Sequence, residues 1–274
     1  MERAGESEIG RAYALARELG EWASGVIAGS MADARGWLKG AGVEWVTEAD
    51  VAIERHVRQR LRAAFPDHRV AGEEDGSSGP DGASAVWAID PVDGTNNFAH
   101  GVGWCAFSLG LVIEGEPVLG VIEDPFRQVA YHARRGHGAF ADDRPIRVRA
   151  PGDLRGEIVL TELDGQTPWD GLTRLVTGSG QAGSITRIMG STAMSMAHVA
   201  RGAAVAAVFG AFDPLDSAAG LCLLHEAGAV TMGRDGVRAP MPRGSLIAAS
   251  APVAERLRSM LADTGPSPVG RGSP

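Results

Sequence analysis

The feature that most constrains the fold is a short apolar run that ends in two acidic residues. Val86 to Ile89 is apolar and predicts a buried strand. Asp90 and Asp93 follow it three positions apart, and Pro91 lies between them. Because proline fixes its own backbone angle and disfavours a helical residue before it, the chain should stay extended at Asp90. Both carboxylates are therefore expected where one buried strand ends.

The residues after this strand predict a turn and the start of a helix. Gly94 permits a sharp bend that a side chain would resist, and Thr95 or Asn96 is placed to cap a helix. The free N–H groups of a helix start favour phosphate, and Mg²⁺ commonly binds a few carboxylates together with a substrate phosphate. The segment therefore offers a place for a metal ion and a place for phosphate. A capped helix beside two solvated aspartates explains the same spacing.

Three segments together resemble the signatures of the inositol monophosphatase family, whose members are Mg²⁺-dependent, lithium-sensitive phosphatases. The segments are Ala71-Gly72-Glu73-Glu74, Asp90-Pro91-Val92-Asp93-Gly94-Thr95-Asn96-Asn97-Phe98 and Leu215-Asp216-Ser217-Ala218-Ala219-Gly220. They stand in the family's order and at its distances, and the resemblance extends from Gly10 to Ala262. It implies a fold of mixed α+β and α/β character, a layered αβαβα sandwich known as the sugar phosphatase fold.

The resemblance also implies the residues of the active site, which would hold two or three Mg²⁺ ions. The implied catalytic residues are Asp50, Glu73 and Thr95, of which Asp50 and Thr95 would position and activate the attacking water. The implied metal ligands are Glu73, Asp90, the carbonyl of Val92, Asp93 and Asp216. The implied substrate-binding residues are Asp93, Gly94, Thr95, Gly190, Ser191, Thr192, Phe209 and Asp216. Lys39 would lie in a loop over the site.

Several of these residues also have a plain structural explanation. Thr47 and Asp50 have the spacing of a capping box, which by itself accounts for Asp50. Asp216 suits the first turn of a helix, and Gly190-Ser191-Thr192 suits a simple helix start. Lys39 suits a solvated loop. These alternatives stay open on the sequence alone, although a capped helix start is also a rigid place for a catalytic base.

Two departures from the family pattern concern the substrate. Leu215 replaces the family's tryptophan, and Phe209 stands where inositol phosphatases have a glutamate that binds substrate hydroxyls. An apolar ring cannot make those hydrogen bonds, and buried polar complementarity is what gives strong discrimination between substrates. This departure leaves the substrate open, because histidinol phosphate, a polyol or sugar phosphate or a biosynthetic intermediate fits as well as inositol phosphate.

Composition excludes some partners. The net charge of −8 over 274 residues argues against a nucleic-acid backbone as partner, but bound metal ions would reverse the local sign for a phosphate ester. Two cysteines, Cys105 and Cys222, lie in apolar segments and are expected to be buried and unpaired. The sequence shows neither a signal peptide nor an apolar run long enough to cross a membrane, so we expect a cytoplasmic protein without a membrane partner. The resemblance implies a homodimer.

The pattern of elements predicts two halves. Residues 1–150 are expected to form an α+β half with two helices, from Glu6 to Ala28 and from Trp45 onward, against a largely antiparallel sheet. Residues 151–263 alternate strands and helices, which predicts α/β layering. Met31 to Gly42 is expected to be a mobile loop, and residues 264–274 a disordered tail. His132, Arg134, Arg135 and His137 are expected on solvated edges.

We interpret the sequence as a metal-dependent phosphatase that hydrolyses a small phosphate monoester with an activated water. A nucleotide 3′-phosphatase or a fructose-1,6-bisphosphatase relative is the alternative enzyme, disfavoured by the short chain and the lack of an evident basic pocket. A non-catalytic phosphate-binding regulatory protein is the alternative from another class. Such a protein would be expected to have lost a carboxylate, whereas the acidic residues named above are all present.

Overall fold

A computed structural model describes residues 2–39, 44–163, 167–214 and 217–262. Leu215 and Asp216 of the third segment, the Gly40 to Gly42 part of the expected loop and the 264–274 tail lie outside the described residues. Within the described ranges the chain forms an eight-stranded sheet, a five-stranded sheet and a two-stranded hairpin, covered by helices.

The first part of the chain builds the hairpin and the larger sheet. Its helices are α1 (Glu2–Ser30), α2 (Glu48–Ala64) and α3 (Thr95–Ala99). Its strands are β1 (Gly36–Leu38), β2 (Trp45–Thr47), β3 (Arg69–Gly72), β4 (Ser77–Ser78), β5 (Ala85–Asp93), β6 (Ala106–Ile113), β7 (Glu116–Asp124), β8 (Val129–Arg134), β9 (Ala139–Ala141) and β10 (Arg144–Ile146). The larger sheet has the order β10-β9-β8-β7-β6-β5-β3-β4 and is antiparallel except for the parallel pair β3 and β5.

The second part of the chain alternates between strands and helices, as predicted. Its elements are β11 (Ile158–Thr161), α4 (Leu172–Gln181), β12 (Ile185–Ile188), α5 (Thr192–Ala200), β13 (Ala206–Phe209), α6 (Ala218–Glu226), β14 (Val230–Met232), β15 (Leu246–Ala249) and α7 (Ala251–Ala262). The sheet has the order β12-β11-β13-β15-β14, and β12, β11 and β13 run parallel. Their carboxyl ends therefore meet at one edge, which is where α/β sheets bind ligands.

Three large apolar cores and a small cluster of Ala88, Val112 and Ala218 lie between the five layers of the described residues. The first core lies between α1 and α2 and one face of the larger sheet. The second lies between the other face of that sheet and the smaller sheet, with α5 and α6 filling the space between them. The third lies between the smaller sheet and the helices α4 and α7. Neighbouring side chains of one strand pack in different cores, because they lie on opposite faces of the sheet. Val159 belongs to the third core and Leu160 to the second. This is the predicted αβαβα sandwich.

Three local predictions about the first part of the chain are corrected. The expected mobile loop contains a turn of 3₁₀ helix at Met31–Asp33 and strand β1, whose residues pair with β2 in an antiparallel hairpin. Trp45 therefore opens a strand, and α2 begins three residues later, at Glu48. The helix starts there because the capping box of Thr47 and Asp50 satisfies its first N–H groups. The expected cap at Thr95 or Asn96 is instead Gly94, with φ of 89°.

The prediction of a solvated edge is wrong for His132. This residue is 5% exposed because α1 covers β8 at this point. Its Nδ1 bonds the hydroxyl of Tyr13 and its Nε2 donates to the carbonyl of Asp142. Arg135 and His137 are exposed, as expected. Cys105 and Cys222 are buried and unpaired, as expected. None of the helices within the described ranges is long and apolar enough to cross a membrane.

Candidate active site

The first part of the site is a buried aspartate at the start of α2. Asp50 is fully buried, and its Oδ2 accepts the backbone N–H of Thr47 at 2.8 Å as well as the Thr47 hydroxyl. Its Oδ1 accepts the hydroxyl of Thr95 at 3.1 Å. Burial raises the pKa of Asp50 and the nearby charge of Glu73 adds to this effect, although the bonds from Thr47 and Thr95 oppose it. The capping box and the predicted catalytic pair therefore share one carboxylate.

Thr95 links this aspartate to the strand that carries the two acids. Its Oγ1 lies 2.8 Å from the carbonyl oxygen of Val92 and 3.1 Å from Asp50 Oδ1. A hydroxyl has a single proton, so Thr95 donates a hydrogen bond to one of these two oxygens at a time. Its own oxygen can accept a hydrogen bond from a third group. This leaves Thr95 suited to relay a proton between Asp50 and a molecule bound at the motif.

Asp93 joins the larger sheet to the start of α5. Its Oδ2 accepts the hydroxyl of Ser191 and the N–H of Ala193 at 2.7 Å, and its Oδ1 accepts the N–H of Thr192 at 3.2 Å. The carboxylate thus lies at the N-terminus of α5, where a negative charge is favoured. Burial raises the pKa of Asp93 to about 6 in spite of these bonds, and the charge of Glu73 contributes.

Gly94 and Gly190 allow the halves to approach. Both have positive φ, 89° and 80° respectively, which L side chains rarely adopt. A Cβ atom on Gly94 would lie 2.9 Å from the carbonyl oxygen of Gly190, closer than real Cβ atoms come. The predicted residues Gly94 and Gly190 are therefore neighbours across the site, and a side chain at Gly94 would push the halves apart.

Lys39 reaches the site from the hairpin. Its Nζ lies 2.7 Å from Glu73 Oε1 and 2.6 Å from Glu74 Oε1. Burial alone would lower the pKa of Lys39, but its bonds to Glu73 and Glu74 outweigh this and raise it. Burial and the charge of Glu73 raise the pKa of Glu74, and the bond to Lys39 opposes the rise. The ammonium group thus occupies a place where the acidic residues attract a cation.

Asp90 and Val92, two further predicted metal ligands, lie near the end of β5. Asp90 is half-buried, and its Oδ1 accepts the N–H of Val92 at 3.1 Å. The Val92 carbonyl accepts from Thr95, as described. Asp216 lies outside the described residues. Phe209 ends β13 with 2% of its surface exposed, and its ring stacks on the half-buried Phe212. A contact between Phe209 and substrate stays a prediction, since this ring is packed in the second core.

The donor set fits a hard divalent cation. Glu73 raises the pKa of Asp50, Glu74 and Asp93, so these carboxylates lie close enough to repel one another. A bound cation relieves such repulsion, and carboxylate and carbonyl oxygens are the ligands that Mg²⁺ prefers. Within the described ranges no three acidic, histidine or cysteine side chains are by themselves arranged to hold an ion. Lys39 holds Glu73, and the start of α5 holds Asp93.

Sequence reasoning missed Glu162 as a member of the site. Glu162 directly follows β11; its Oε2 accepts the N–H of Gly190 at 2.7 Å and its Oε1 accepts the Ser195 hydroxyl at 2.9 Å. Burial raises the pKa of Glu162 to about 7 and the charge of Asp93 adds to the rise, although these bonds oppose it. The available signal was a carboxylate at the end of the apolar run from Ile158, in the part predicted to alternate strands and helices.

The chain is similar to known proteins over most of its length. A family model described as "Inositol monophosphatase family" matches residues 6–264. The Inositol-1-monophosphatase of Rhizobium meliloti is 35% identical over 238 residues, which cover 84% of this chain and 87% of the relative. An inositol monophosphatase structure from Anabaena aligns with a TM-score of 0.80 and 30% identity, covering 92% of this chain and 96% of the other. The structure of the extragenic suppressor protein suhB from Bartonella henselae aligns with a TM-score of 0.86 and 25% identity, covering 93% and 99%.

The family match and these relatives identify the chain as a phosphoric monoester hydrolase. Among the residues that carry the resemblance, Asp93 bonds the start of α5, and Leu215 and Asp216 are not described. The chain belongs to the inositol monophosphatase family.

Proposed function

We propose that this protein hydrolyses a small phosphate monoester in a Mg²⁺-dependent reaction with an activated water as nucleophile. The observation that carries the proposal is the chain of contacts from Asp50 to Thr95 beside the acidic cluster of Glu73 and Asp93. It joins a proton acceptor to residues that suit a metal ion. No side chain is asked to form a covalent phosphoenzyme.

Glu73, Asp90, the Val92 carbonyl, Asp93 and Asp216 would hold two or three Mg²⁺ ions. When bound, Mg²⁺ supplies positive charge for the phosphoryl oxygens and lowers the pKa of water. Asp50, which the capping box with Thr47 holds in place, accepts a proton through the Thr95 hydroxyl. The N–H groups of Gly94 and Thr95 bind the phosphate, and Gly190, Ser191 and Thr192 line the pocket beside it. The ammonium group of Lys39 competes with Mg²⁺ for the carboxylate of Glu73.

The site lies between two halves, residues 1–150 and 151–263. The bonds of Asp93 to Ser191, Thr192 and Ala193 support this placement of the site, because they join the larger sheet to α5. The break between the sheets falls between β10 and β11, close to the proposed boundary. We propose the cytoplasm as the compartment, since the two cysteines are free. We propose no nucleic-acid partner, because the net charge is −8.

The proposed substrate has a leaving group with an apolar or aromatic face. Phe209 lies at the carboxyl end of β13, beside β11, whose carboxyl end carries Glu162. This is the edge at which a leaving group would lie. The ring offers no hydrogen bond to a polyol. A nucleotide 3′-phosphatase or a fructose-1,6-bisphosphatase-like activity is disfavoured for the reasons given above.

A panel of phosphate esters tests both the activity and the specificity. We expect the wild type to hydrolyse an aryl or histidinol phosphate better than inositol 1-phosphate, compared as kcat/KM with Mg²⁺ present. Phe209→Glu is expected to shift this ratio towards the polyol by about ten- to hundredfold, the worth of one polar contact. Phe209→Leu is the apolar control and should leave the ratio near that of the wild type.

Because Phe209 is buried, thermal melting must accompany these assays. Phe212→Glu, on the more exposed ring of the pair, gives a second variant if Phe209→Glu does not fold. Inositol 1-phosphate as the best substrate of the wild type would contradict the proposed specificity. A wild type that hydrolyses no ester on the panel would contradict the proposed activity.

We also propose that the chain forms a homodimer. Strand β12 is an edge of the smaller sheet and carries Ile185 and Ile188, which are 42% and 47% exposed. An exposed apolar edge strand readily pairs with another chain.

We expect the wild type to sediment as a dimer and the double variant Ile185→Lys/Ile188→Lys as a monomer. Val237→Lys, at a residue that is 62% exposed outside this edge, is the control and should remain dimeric. A monomeric wild type contradicts this prediction.

A further inference from the structure

One peptide group in the site is held on both sides by side chains. The carbonyl of Met189 accepts the amide Nδ2 of Asn97 at 2.8 Å, and the N–H of Gly190 donates to Glu162 Oε2 at 2.7 Å. These are the two polar groups of a single peptide unit, and in a trans peptide they point in opposite directions. Asn97 comes from the motif in the first half, and Glu162 from the end of β11 in the second.

The held peptide begins the turn that carries the predicted substrate-side residues. Gly190 has φ of 80°, and Ser191 caps α5 by accepting the N–H of Met194. The Met189–Gly190 peptide cannot rotate without breaking both of its hydrogen bonds. Together with the bonds from Ser191 and Thr192 to Asp93, its orientation sets where the turn lies relative to Gly94.

Glu162 is itself anchored on three sides. Its Oε1 accepts the hydroxyl of Ser195 at 2.9 Å, one turn into α5. Its backbone carbonyl accepts the indole Nε1 of Trp169 at 3.0 Å. The register pairs Thr161 with Ile188, so Glu162 and Met189 follow side by side at the same edge of the sheet. One carboxylate thus ties the turn at Gly190 to the first turns of α5.

We infer that Glu162 is a positioning residue, which together with Asn97 clamps the Met189–Gly190 peptide and so sets the substrate-side turn of residues 190–192. This inference rests on the proposed phosphatase function of the same site. Glu162 contacts neither Asp50 nor Thr95 through the bonds described, so its loss disturbs the binding of the ester more than the transfer of the proton. The expected signature is a rise in KM with kcat largely kept.

The experiment compares Glu162→Ala and Glu162→Gln with a matched control at the other end of the same strand. Glu157 precedes β11, is 8% exposed and bonds Arg149 at 2.7 Å, away from the site. Glu157→Gln removes a buried negative charge from the same strand without touching the turn. Kinetics on the best ester of the panel give KM and kcat, and hydrogen exchange of the Gly190 amide, followed by NMR on the full chain, reports the clamp directly.

Glu162→Ala is expected to raise KM by about tenfold, the loss of one charge-assisted hydrogen bond, with kcat within about threefold of the wild type. Its Gly190 amide should exchange much faster than in the wild type. Glu162→Gln keeps an acceptor oxygen and should restore slow exchange and most of the affinity. Glu157→Gln should change neither readout.

Each remaining outcome contradicts a different statement. A Gly190 amide that stays protected in Glu162→Ala overturns the clamp. Lost protection with an unchanged KM, or a fall in kcat at constant KM, overturns the positioning of substrate by this clamp. If the wild type hydrolyses no ester, the proposed function fails, whereas faster Gly190 exchange in Glu162→Ala alone still supports the clamp.

Discussion

Replacing Asp93 by asparagine is expected to nearly abolish hydrolysis while the protein stays folded. A neutral amide is a poor ligand for Mg²⁺, which requires hard oxygen donors. Substituting a residue that only hydrogen-bonds to a metal ligand typically costs about 10- to 100-fold in metal affinity or activity. Loss of a direct ligand should therefore lower kcat/KM by more than about a hundredfold. Steady-state kinetics with saturating Mg²⁺ measure this effect.

The same substitution should have only a modest effect on stability. Asp93 accepts bonds from Ser191, Thr192 and Ala193 at the start of α5, and asparagine keeps one of the two acceptor oxygens. Losing part of a helix cap costs about 1 kcal/mol, which lowers the melting temperature of a protein of this size by about 2–4 °C. Activity and folding are therefore separable in this variant.

Asp142→Asn provides the matched control. Asp142 Oδ1 accepts the N–H of Ala130 at 3.0 Å, and its φ of 52° is a conformation that asparagine tolerates. The same chemical change is thus made outside the site, and wild-type kinetics are expected. Asp93→Asn protein with near wild-type kcat and a normal melting temperature would contradict the assignment of Asp93 as a metal ligand.

Removal of divalent metal is expected to have the largest effect of all, complete loss of activity. Treatment with EDTA should abolish turnover, Mg²⁺ in the millimolar range should restore it, and Li⁺ should inhibit it, as the family resemblance implies. The physical reason lies in the acidic cluster, where Glu73 raises the pKa of Asp50, Glu74 and Asp93. Without a cation those charges oppose each other and no group neutralises the phosphoryl oxygens.

A second measurement makes the metal prediction independent of turnover. A ligand that binds only the folded state raises the melting temperature, so Mg²⁺ should stabilise the wild type in a concentration-dependent way. The rise should be much smaller in Asp93→Asn and unchanged in Asp142→Asn. NaCl at matched ionic strength controls for screening in the Li⁺ experiment. Chelator-treated protein that continues to turn over rules out the proposed mechanism.

Local sequence patterns were sufficient for much of the fold. The apolar run before Asp90 predicted β5, and the spacing of Thr47 and Asp50 predicted the box that starts α2. Such features depend only on residues a few positions apart in the chain. Backbone geometry and local hydrogen bonds determine how those residues are arranged. The alternation of strands and helices after Ile158 predicted the layered second half for the same reason. The roles of the predicted site residues stay predictions.

The sequence by itself determined the type and order of most elements and which acidic residues stand at their ends. Only the tertiary structure decided that Lys39 pairs with Glu73 and Glu74, that Glu162 bonds Gly190, and that His132 lies under α1. These contacts join residues far apart in the chain, and their partners follow from the register of strands and the packing of layers. A carboxylate after a strand has no visible partner in the sequence until the carboxyl ends of β11 and β12 are brought to one edge.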